Sequence, residues 1–271
     1  MKQGRVLVIA GSDSGGGAGI QGDLKTVMAL GGYASTAITA VTVQNTLGVF
    51  GVHQVPADLI AGQIRAVLSD LGADAVKTGM VGSDEAVRAV AITLEERGRE
   101  LPLVVDPVMR STQGAQLASQ KAVELIKAEL FLRAAIVTPN IPEAEQLAGF
   151  PIRDLDDMKR AADLFLTLGP EAVLIKGGHL KSETVTDVLL TADGFEIMSG
   201  PRIDTLHTHG TGCALASAIA CSLAQGQDMV ASVRRARAFV REAIERAPRL
   251  GRGQGPLNHA HALAPFPFDA H

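Results

Sequence analysis

Thr208-His209-Gly210-Thr211-Gly212-Cys213 sets two glycines around a threonine, then a thiol, directly before the small-residue run Ala214-Leu215-Ala216-Ser217-Ala218-Ile219-Ala220. A glycine loop entering a helix presents successive backbone N–H groups at the positive end of the helix dipole, where an anion binds. Cys213 falls in the first turn, where a thiol commonly ionises more readily than in free solution. An anion seat beside a base is equipment for phosphoryl transfer. The same residues also read as a tight turn into a buried Ala-rich helix, with Cys213 as a small core residue. This stretch alone leaves both readings open.

A second glycine loop, Gly11-Ser-Asp-Ser-Gly-Gly-Gly-Ala-Gly19, follows the apolar run Arg5–Ala10 and leads into a helix from about Ile20 to Leu30. Strand, glycine loop and helix in that order can aim backbone N–H groups at a ligand. No Gly-Lys-Ser/Thr closes the loop, which argues against a Walker A site. Gly17-Ala-Gly19-Ile-Gln-Gly22 matches the dinucleotide fingerprint by letter. That fingerprint expects an acid at the end of the second strand to hold a ribose. The next strand-like run, Tyr33 to Val43, ends in Gln44-Asn45 instead, and the glycines fall partly inside the helix, so dinucleotide binding is the weaker reading.

These loops need elements to position them. Strands are expected near Val49–Val55, Asp74–Lys77, Leu103–Met109, Ala135–Pro139 and Ala172–Lys176, with a hairpin at Thr184–Leu190 and Phe195–Ser199 turning on Asp193-Gly194. Helices are expected at Pro56–Leu71, from the Ser83 N-cap to Gly98, and at Ser119–Leu130, Glu143–Ala148, Leu155–Leu168, Thr211–Gln225 and Asp228–Arg246. The tail from Pro248 is rich in Gly, Pro and His and is expected to hug the surface or lie loose. Strands alternate with helices without a linker or repeat, which predicts one α/β domain over residues 1–271 with a mostly parallel central sheet flanked by helices. Ligands of such sheets bind beyond the carboxyl ends of the strands. Gln44, Gly79-Met80, Asp106, Asn140 with Glu143, Lys176 and both glycine loops all fall there, so one pocket can gather them.

Composition narrows the function. Apolar residues make up 46% of the 271 and charged residues 20%, enough for a large core, while the absence of Trp and the single Tyr imply a core of Ala, Val, Leu and Ile. The net charge of −4 offers no footprint for nucleic acid. The cluster Arg234-Arg235-Ala-Arg237 with Arg241 reads as the solvated face of a late helix. Cys213 and Cys221, eight residues apart on one predicted helix, sit about 12 Å apart and cannot form a disulfide. With no signal-peptide pattern and no apolar run near membrane-spanning length, the sequence reads as a reduced, cytoplasmic protein. His207, His209, His259 and His261 lack the spacing of a metal cluster.

Taken in order, Ala10-Gly-Ser-Asp-Ser-Gly-Gly-Gly-Ala-Gly19, Val41-Thr-Val-Gln-Asn45, Lys77-Thr-Gly-Met80, Val105-Asp-Pro-Val-Met109, Thr138-Pro-Asn-Ile-Pro-Glu-Ala144, Thr208–Cys213 and Gly255-Pro-Leu-Asn-His259 resemble the hydroxymethylpyrimidine/phosphomethylpyrimidine kinases of thiamin biosynthesis, in the ribokinase-like superfamily. The resemblance spans nearly the whole chain. It implies ATP-dependent phosphorylation of 4-amino-5-hydroxymethyl-2-methylpyrimidine, then of its monophosphate, with Mg²⁺ and a homodimer.

On that resemblance Cys213 stands as the base, where ribokinases carry an Asp, and Gly210, Thr211 and Gly212 form the anion hole, with Thr211 also meeting ATP. Gln44 offers an amide edge complementary to an aminopyrimidine, Asp23 and Gly11 complete the polar contacts, and Met80 covers a ring face. Asn140 and Glu143 match the superfamily's Asn-x-x-Glu. Glu143 holds Mg²⁺ through water, with Asp106 as second ligand, and Lys176 meets ATP phosphates. Competing readings are a pyridoxal kinase of the same superfamily, a catalytically silent pyrimidine-binding module, and an NAD-dependent enzyme.

Overall fold

Arg5–Ser12 forms β1, in which Val6, Val8 and Ala10 face one side of a sheet and Leu7 and Ile9 the other, all buried. Burial on both faces is what a continuous apolar run predicts for a central parallel strand. The computed structural model describes residues 2–111 and 114–264. After β1 come α1 (Gly19–Ala29), β2 (Tyr33–Asn45), β3 (Gly48–Gln54), α2 (Ala57–Asp70), β4 (Ala75–Thr78), α3 (Asp84–Arg97) and β5 (Leu103–Val105). Then follow α4 (Gln120–Leu125), β6 (Ile136–Val137), α5 (Ile141–Ala148), α6 (Leu155–Leu166), β7 (Val173–Ile175), β8 (Thr184–Thr191), β9 (Gly194–Pro201), α7 (Thr211–Ala224) and α8 (Met229–Glu245).

One sheet, ordered β3-β2-β1-β4-β5-β6-β7-β8-β9, runs through them. Strands β2, β1, β4, β5, β6 and β7 are parallel, while β3 pairs antiparallel with β2, β8 with β7, and β9 with β8. Helices α1, α7 and α8 bury the Val6–Val8 face and α2 to α6 the Leu7–Ile9 face. β1 pairs with β2 on one side and β4 on the other, so the strand order reverses direction there, and a ligand crevice opens beyond the carboxyl ends at such a switch point. The expected α/β architecture is therefore present. No helix among the described residues is long and apolar enough to cross a membrane.

Three expectations change. The helix expected to run to Leu130 is α4 followed by a π turn at Ile126–Leu130, a local widening that lets both Ile126 and Leu130 stay buried. Of the two readings of the tail, loose or packed on the surface, its described part takes the packed one, more deeply than expected. Leu257 and His259 are buried, His261 stacks on Phe239 at 4.6 Å, and Gly255 accepts a hydrogen bond from the backbone of His209. Residues 265–271 of that tail lie outside the described residues. The arginine cluster is not a solvated face. Arg237 donates to Asp187 and to the Met198 carbonyl, Arg241 to the Pro201 carbonyl and Arg235 to Gln225, so three of the arginines tie α8 into the fold.

Candidate active site

Registers Ile9 to Thr78, Thr78 to Val105 and Val105 to Val137 bring the strand ends level. The residues that follow them share a cleft of about 1390 Å³: Gly11, Met80, Asp106, Asn140 with Glu143, and Lys176 line it together with Gln44 and Gly210–Cys213. Sequence reasoning had gathered these positions on one rule, and the cleft contains all of them.

Glycine 210 begins α7 with a φ of 89°, and a Cβ there would lie 2.0 Å from the Gly17 carbonyl oxygen. Only glycine meets both demands. No side chain caps this helix; the Thr211 N–H turns back to the Thr208 carbonyl at 3.3 Å, and the N–H groups of Gly212 and Cys213, which follow it in the cleft lining, have no intrahelical acceptor. A Cβ on Gly212 would come 3.2 Å from Lys176 Nζ and 3.6 Å from Asp106 Oδ2, so the missing side chain leaves a cradle between the helix end and those charges.

Across that cradle Lys176 Nζ lies 2.8 Å from Asp106 Oδ1. Burial alone would lower the Lys176 pKa, but Asp106 and then Glu143 outweigh it and raise it. Asn140 caps α5 by accepting from the Glu143 N–H at 3.0 Å, and the Glu143 carboxylate returns the bond to the Asn140 N–H at 2.8 Å. Burial pushes Glu143 up to about 7, with the Asp106 charge adding to the shift and Lys176 opposing it. A capping box and a site acid are thus the same residue pair.

Two corrections concern the acid and the thiol. Asp23 does not reach the cleft. It is wholly buried beneath the floor, where both carboxylate oxygens take hydrogen bonds from Lys77 Nζ and Oδ1 also accepts from Ser217. Lys77, absent from the sequence-derived set, lines the cleft in its place. The Cys213 thiol is not activated by its helix end. Burial raises its pKa to about 11, against the pull of Lys77 and with Asp23 and Asp106 adding to the rise. A first-turn position lowers a thiol pKa only where desolvation does not exceed the dipole and nearby cations.

The first glycine loop also departs from expectation. Its N–H groups do not all face a ligand, because Asp13 accepts from Gly15, Gly17 and Ala18 at 2.8, 3.2 and 2.9 Å. His209 Nε2 reaches the same carboxylate at 2.9 Å. An aspartate two residues before a glycine run is an Asx-turn signal, which could have marked Asp13; nothing in the sequence marked His209 as its partner. On β2, Thr42 and Gln44 alternate inward with Val41 and Val43 outward, and Gln44 Nε2 stands 3.4 Å from His209 Nε2. Met80 is buried against Gly11, its sulfur 3.1 Å from where a Cβ on that glycine would sit.

Among the described residues no group of three or more His, Cys, Asp or Glu gathers to cage a metal. Asp106 and Glu143 beside an anion cradle are instead the sparse carboxylate set that suits Mg²⁺ carried on phosphates. The residues fit Mg²⁺ and a nucleotide triphosphate.

A parallel α/β sheet with an uncapped glycine-rich helix end facing a Lys–Asp pair defines a ribokinase-like phosphotransferase. The chain belongs to the phosphomethylpyrimidine kinase family, whose model matches residues 13–258. It is 50% identical over 257 residues to the thiamine biosynthesis bifunctional protein ThiED of Geobacter sulfurreducens, covering 95% of this chain and 52% of that protein, so it spans about half of that relative. It is 47% identical over 258 residues to the hydroxymethylpyrimidine/phosphomethylpyrimidine kinase of Streptomyces coelicolor, covering 95% of each. Among solved structures, phosphomethylpyrimidine kinase from Clostridium difficile 630 superposes with a TM-score of 0.79 at 43% identity, over 89% of this chain and 99% of that one. An ADP complex of Bacillus subtilis pyridoxal kinase superposes at 0.87 with 34% identity, over 96% and 98%.

Proposed function

We propose that this chain transfers the γ-phosphoryl of ATP to the hydroxymethyl oxygen of 4-amino-5-hydroxymethyl-2-methylpyrimidine and then to the resulting monophosphate, supplying the pyrimidine diphosphate of thiamin biosynthesis. The observation that carries this reading is the helix end Gly210–Cys213, which shares one cleft with the Lys176–Asp106 pair and with Gln44.

The residues divide the work. Gln44 reads the amino group and neighbouring ring nitrogen of the pyrimidine with its amide, while Gly11 closes against that ring and Met80 covers its face. The N–H groups of Gly212 and Cys213 hold the transferring phosphoryl, being fixed in place before the charge develops, while the Thr211 N–H is held by the Thr208 carbonyl and Gly210 supplies the turn that aims the helix end. Lys176 and Lys77 add positive charge to the same space. Cys213 as thiolate takes the hydroxyl proton. Its thiol rests protonated, so the reactive fraction is small and set by pH. Asp106 and Glu143 would hold Mg²⁺, with Asn140 keeping Glu143 in position; when bound, the ion would neutralise the phosphate oxygens.

The chain also works as a homodimer in the cytoplasm. The edge hairpin β2–β3 supports self-association, since it leaves Val41, Val43, Phe50 and Val52 open to water. Pyridoxal is the competing acceptor, since pyridoxal kinases superpose closely on this fold. Incubation with ATP·Mg²⁺ and either the pyrimidine alcohol or pyridoxal, followed by mass spectrometry, decides the matter. Mono- and diphosphate of the pyrimidine are expected; pyridoxal phosphate alone would overturn the reading.

A further inference from the structure

Gln44 does not stand alone in the cleft wall. Asp13 and His209 are both nearly closed to water, and the 2.9 Å contact between Asp13 Oδ2 and His209 Nε2 joins the two glycine loops. Burial works against the Asp13 charge, but the His209 hydrogen bond, with those of Ala18 and Gly15, holds its pKa below the ordinary carboxylate value. An ionised carboxylate only accepts, so the His209 Nε2 must carry the proton and donate it. The ring cannot turn away from this duty. A Cβ on Gly17 would lie 2.6 Å from His209 Cδ2, which means the imidazole is packed directly on the glycine-loop backbone.

This fixes what Gln44 can present to His209. Its amide nitrogen lies 3.4 Å from the same Nε2, and two donors facing each other make no bond. Its amide oxygen lies 3.1 Å from Thr42 Oγ1, which also donates to the Ser12 carbonyl at 3.0 Å. Oxygen and nitrogen of a primary amide are nearly isosteric, and the network decides between them. With the amide turned over, its oxygen faces the His209 N–H as a weaker second acceptor beside Asp13, and its NH₂ donates to Thr42 Oγ1 while that hydroxyl keeps its bond to Ser12. The opposition of two donors is then removed.

We infer that His209, held by Asp13, is a positioning and specificity-determining residue that sets the direction of the Gln44 amide and so the way round in which an aminopyrimidine is bound. The inference rests on the pyrimidine reading above. An amino group beside a ring nitrogen is a directional edge. Reversing the amide exchanges donor for acceptor and turns the ring over about that edge. The hydroxymethyl group, adjacent to the amino group, then moves to the side away from Gly212 and Cys213. His209 never touches the reacting atoms; it chooses which ring pose brings them together.

A double-mutant cycle on the full chain tests this, with ATP·Mg²⁺ and the pyrimidine alcohol as substrates. His209→Phe keeps a ring in the packed slot but removes the N–H, and should lower kcat/KM at least tenfold. In a Gln44→Ala background the same change should cost less than threefold, because no amide remains to orient. His209→Gln restores an N–H and should recover most of the loss. Thr42→Val, which removes the other anchor of the amide, gives a second cycle should His209→Phe fold poorly, with the same non-additivity expected. Factors that multiply in full in both cycles, or a His209→Gln variant as weak as His209→Phe, would overturn the inference. A wild-type chain that fails to turn over the pyrimidine alcohol at all sinks the substrate reading itself, and this inference with it.

Discussion

Lys77 Nζ lies 2.9 and 2.8 Å from the two carboxylate oxygens of Asp23, with both side chains shut off from water. Burial alone would favour a neutral lysine, but the Asp23 charge, helped by Cys213 and Asp106, keeps Lys77 above the ordinary lysine pKa. Lys77→Met strands the Asp23 carboxylate in the core, and breaking a buried pair in this way costs about 3–5 kcal/mol. Denaturant unfolding should register that loss. The double variant Lys77→Met with Asp23→Leu should regain much of the stability while activity stays low, because Lys77 lines the cleft beside Cys213. A stable and fully active double variant would mean that the pair serves only the core.

That pair marks where the sequence stops being informative. Strands and helices follow from local periodicity, so β1 and α7 are read within a residue or two. Strand-end residues such as Gln44, Asp106 and Lys176 follow from one rule about parallel sheets. Lys77 with Asp23, Asp13 with His209 and Asp187 with Arg237 are joined across 54, 196 and 50 residues. No spacing encodes such pairings; only the folded registers bring them together. For that reason the sequence shows Asp23 only as an acid near a glycine loop, with no sign of its Lys77 partner. For Cys213 the helix end is legible, but the desolvation of the thiol and the nearby Asp23 and Asp106 charges that raise its pKa are not.

The pH dependence of the first phosphorylation follows from the surroundings of that thiol. The Cys213 pKa is raised from an ordinary 9.0 to about 11. If the thiolate is the base, kcat/KM for the pyrimidine alcohol should climb about tenfold per pH unit across the neutral and mildly alkaline range, with no plateau before the thiol titrates. Stability has the opposite sense. The unfolded chain gives up this proton at lower pH than the folded one, so folding is weakened as pH rises between those two values. Cys213→Asp places a carboxyl whose ordinary pKa lies far below that of a thiol, so even when raised by the same surroundings it should titrate at lower pH and the rate profile should flatten earlier. An equally steep profile in Cys213→Asp would move the base elsewhere.

The two steps should differ in their need for Cys213. The first acceptor is an alcohol that must lose a proton, whereas a phosphate monoester, with its second pKa near about 6, is already largely ionised at neutral pH. Cys213→Ala should therefore cost about 10²–10⁴-fold on the alcohol, the usual worth of a general base, and markedly less on the monophosphate. Separate assays of each step with purified substrates measure this. Equal losses on both would indicate that the thiol serves the phosphoryl group and not the acceptor's proton.

The β2–β3 hairpin carries a prediction about assembly. Val43 and Phe50 are 64% and 66% exposed on an edge of the sheet, which natural edges usually guard with charge. Val43→Lys with Phe50→Glu should convert a dimer to a monomer by light scattering without lowering the melting temperature of the isolated protomer. A wild-type chain that is monomeric at micromolar concentration removes the homodimer from the reading.

Arg237, on α8 and itself in the cleft lining, ties that helix to the turn after Lys176. Its Nε donates to Asp187 Oδ2 at 2.7 Å, and Asp187 Oδ1 accepts the Gly177 N–H at 2.8 Å. Gly177 follows Lys176 directly, and a Cβ there would lie 1.8 Å from the Thr186 carbonyl oxygen, so the backbone is pinned from two sides. Arg237→Met leaves Asp187 without its cation in a nearly buried position and loosens the turn that aims Lys176. Gln44 and Met80 come from β2 and the end of β4, elements that this network does not touch. The expected signature is therefore a split: KM for ATP rises about tenfold, about 1.4 kcal/mol of lost binding, while KM for the pyrimidine alcohol stays within about twofold, near the ±0.5 kcal/mol reach of changes remote from a site. Steady-state kinetics with each substrate varied in turn measures both. Equal rises in the two constants would mean that the arginine supports the fold as a whole and not the placement of Lys176.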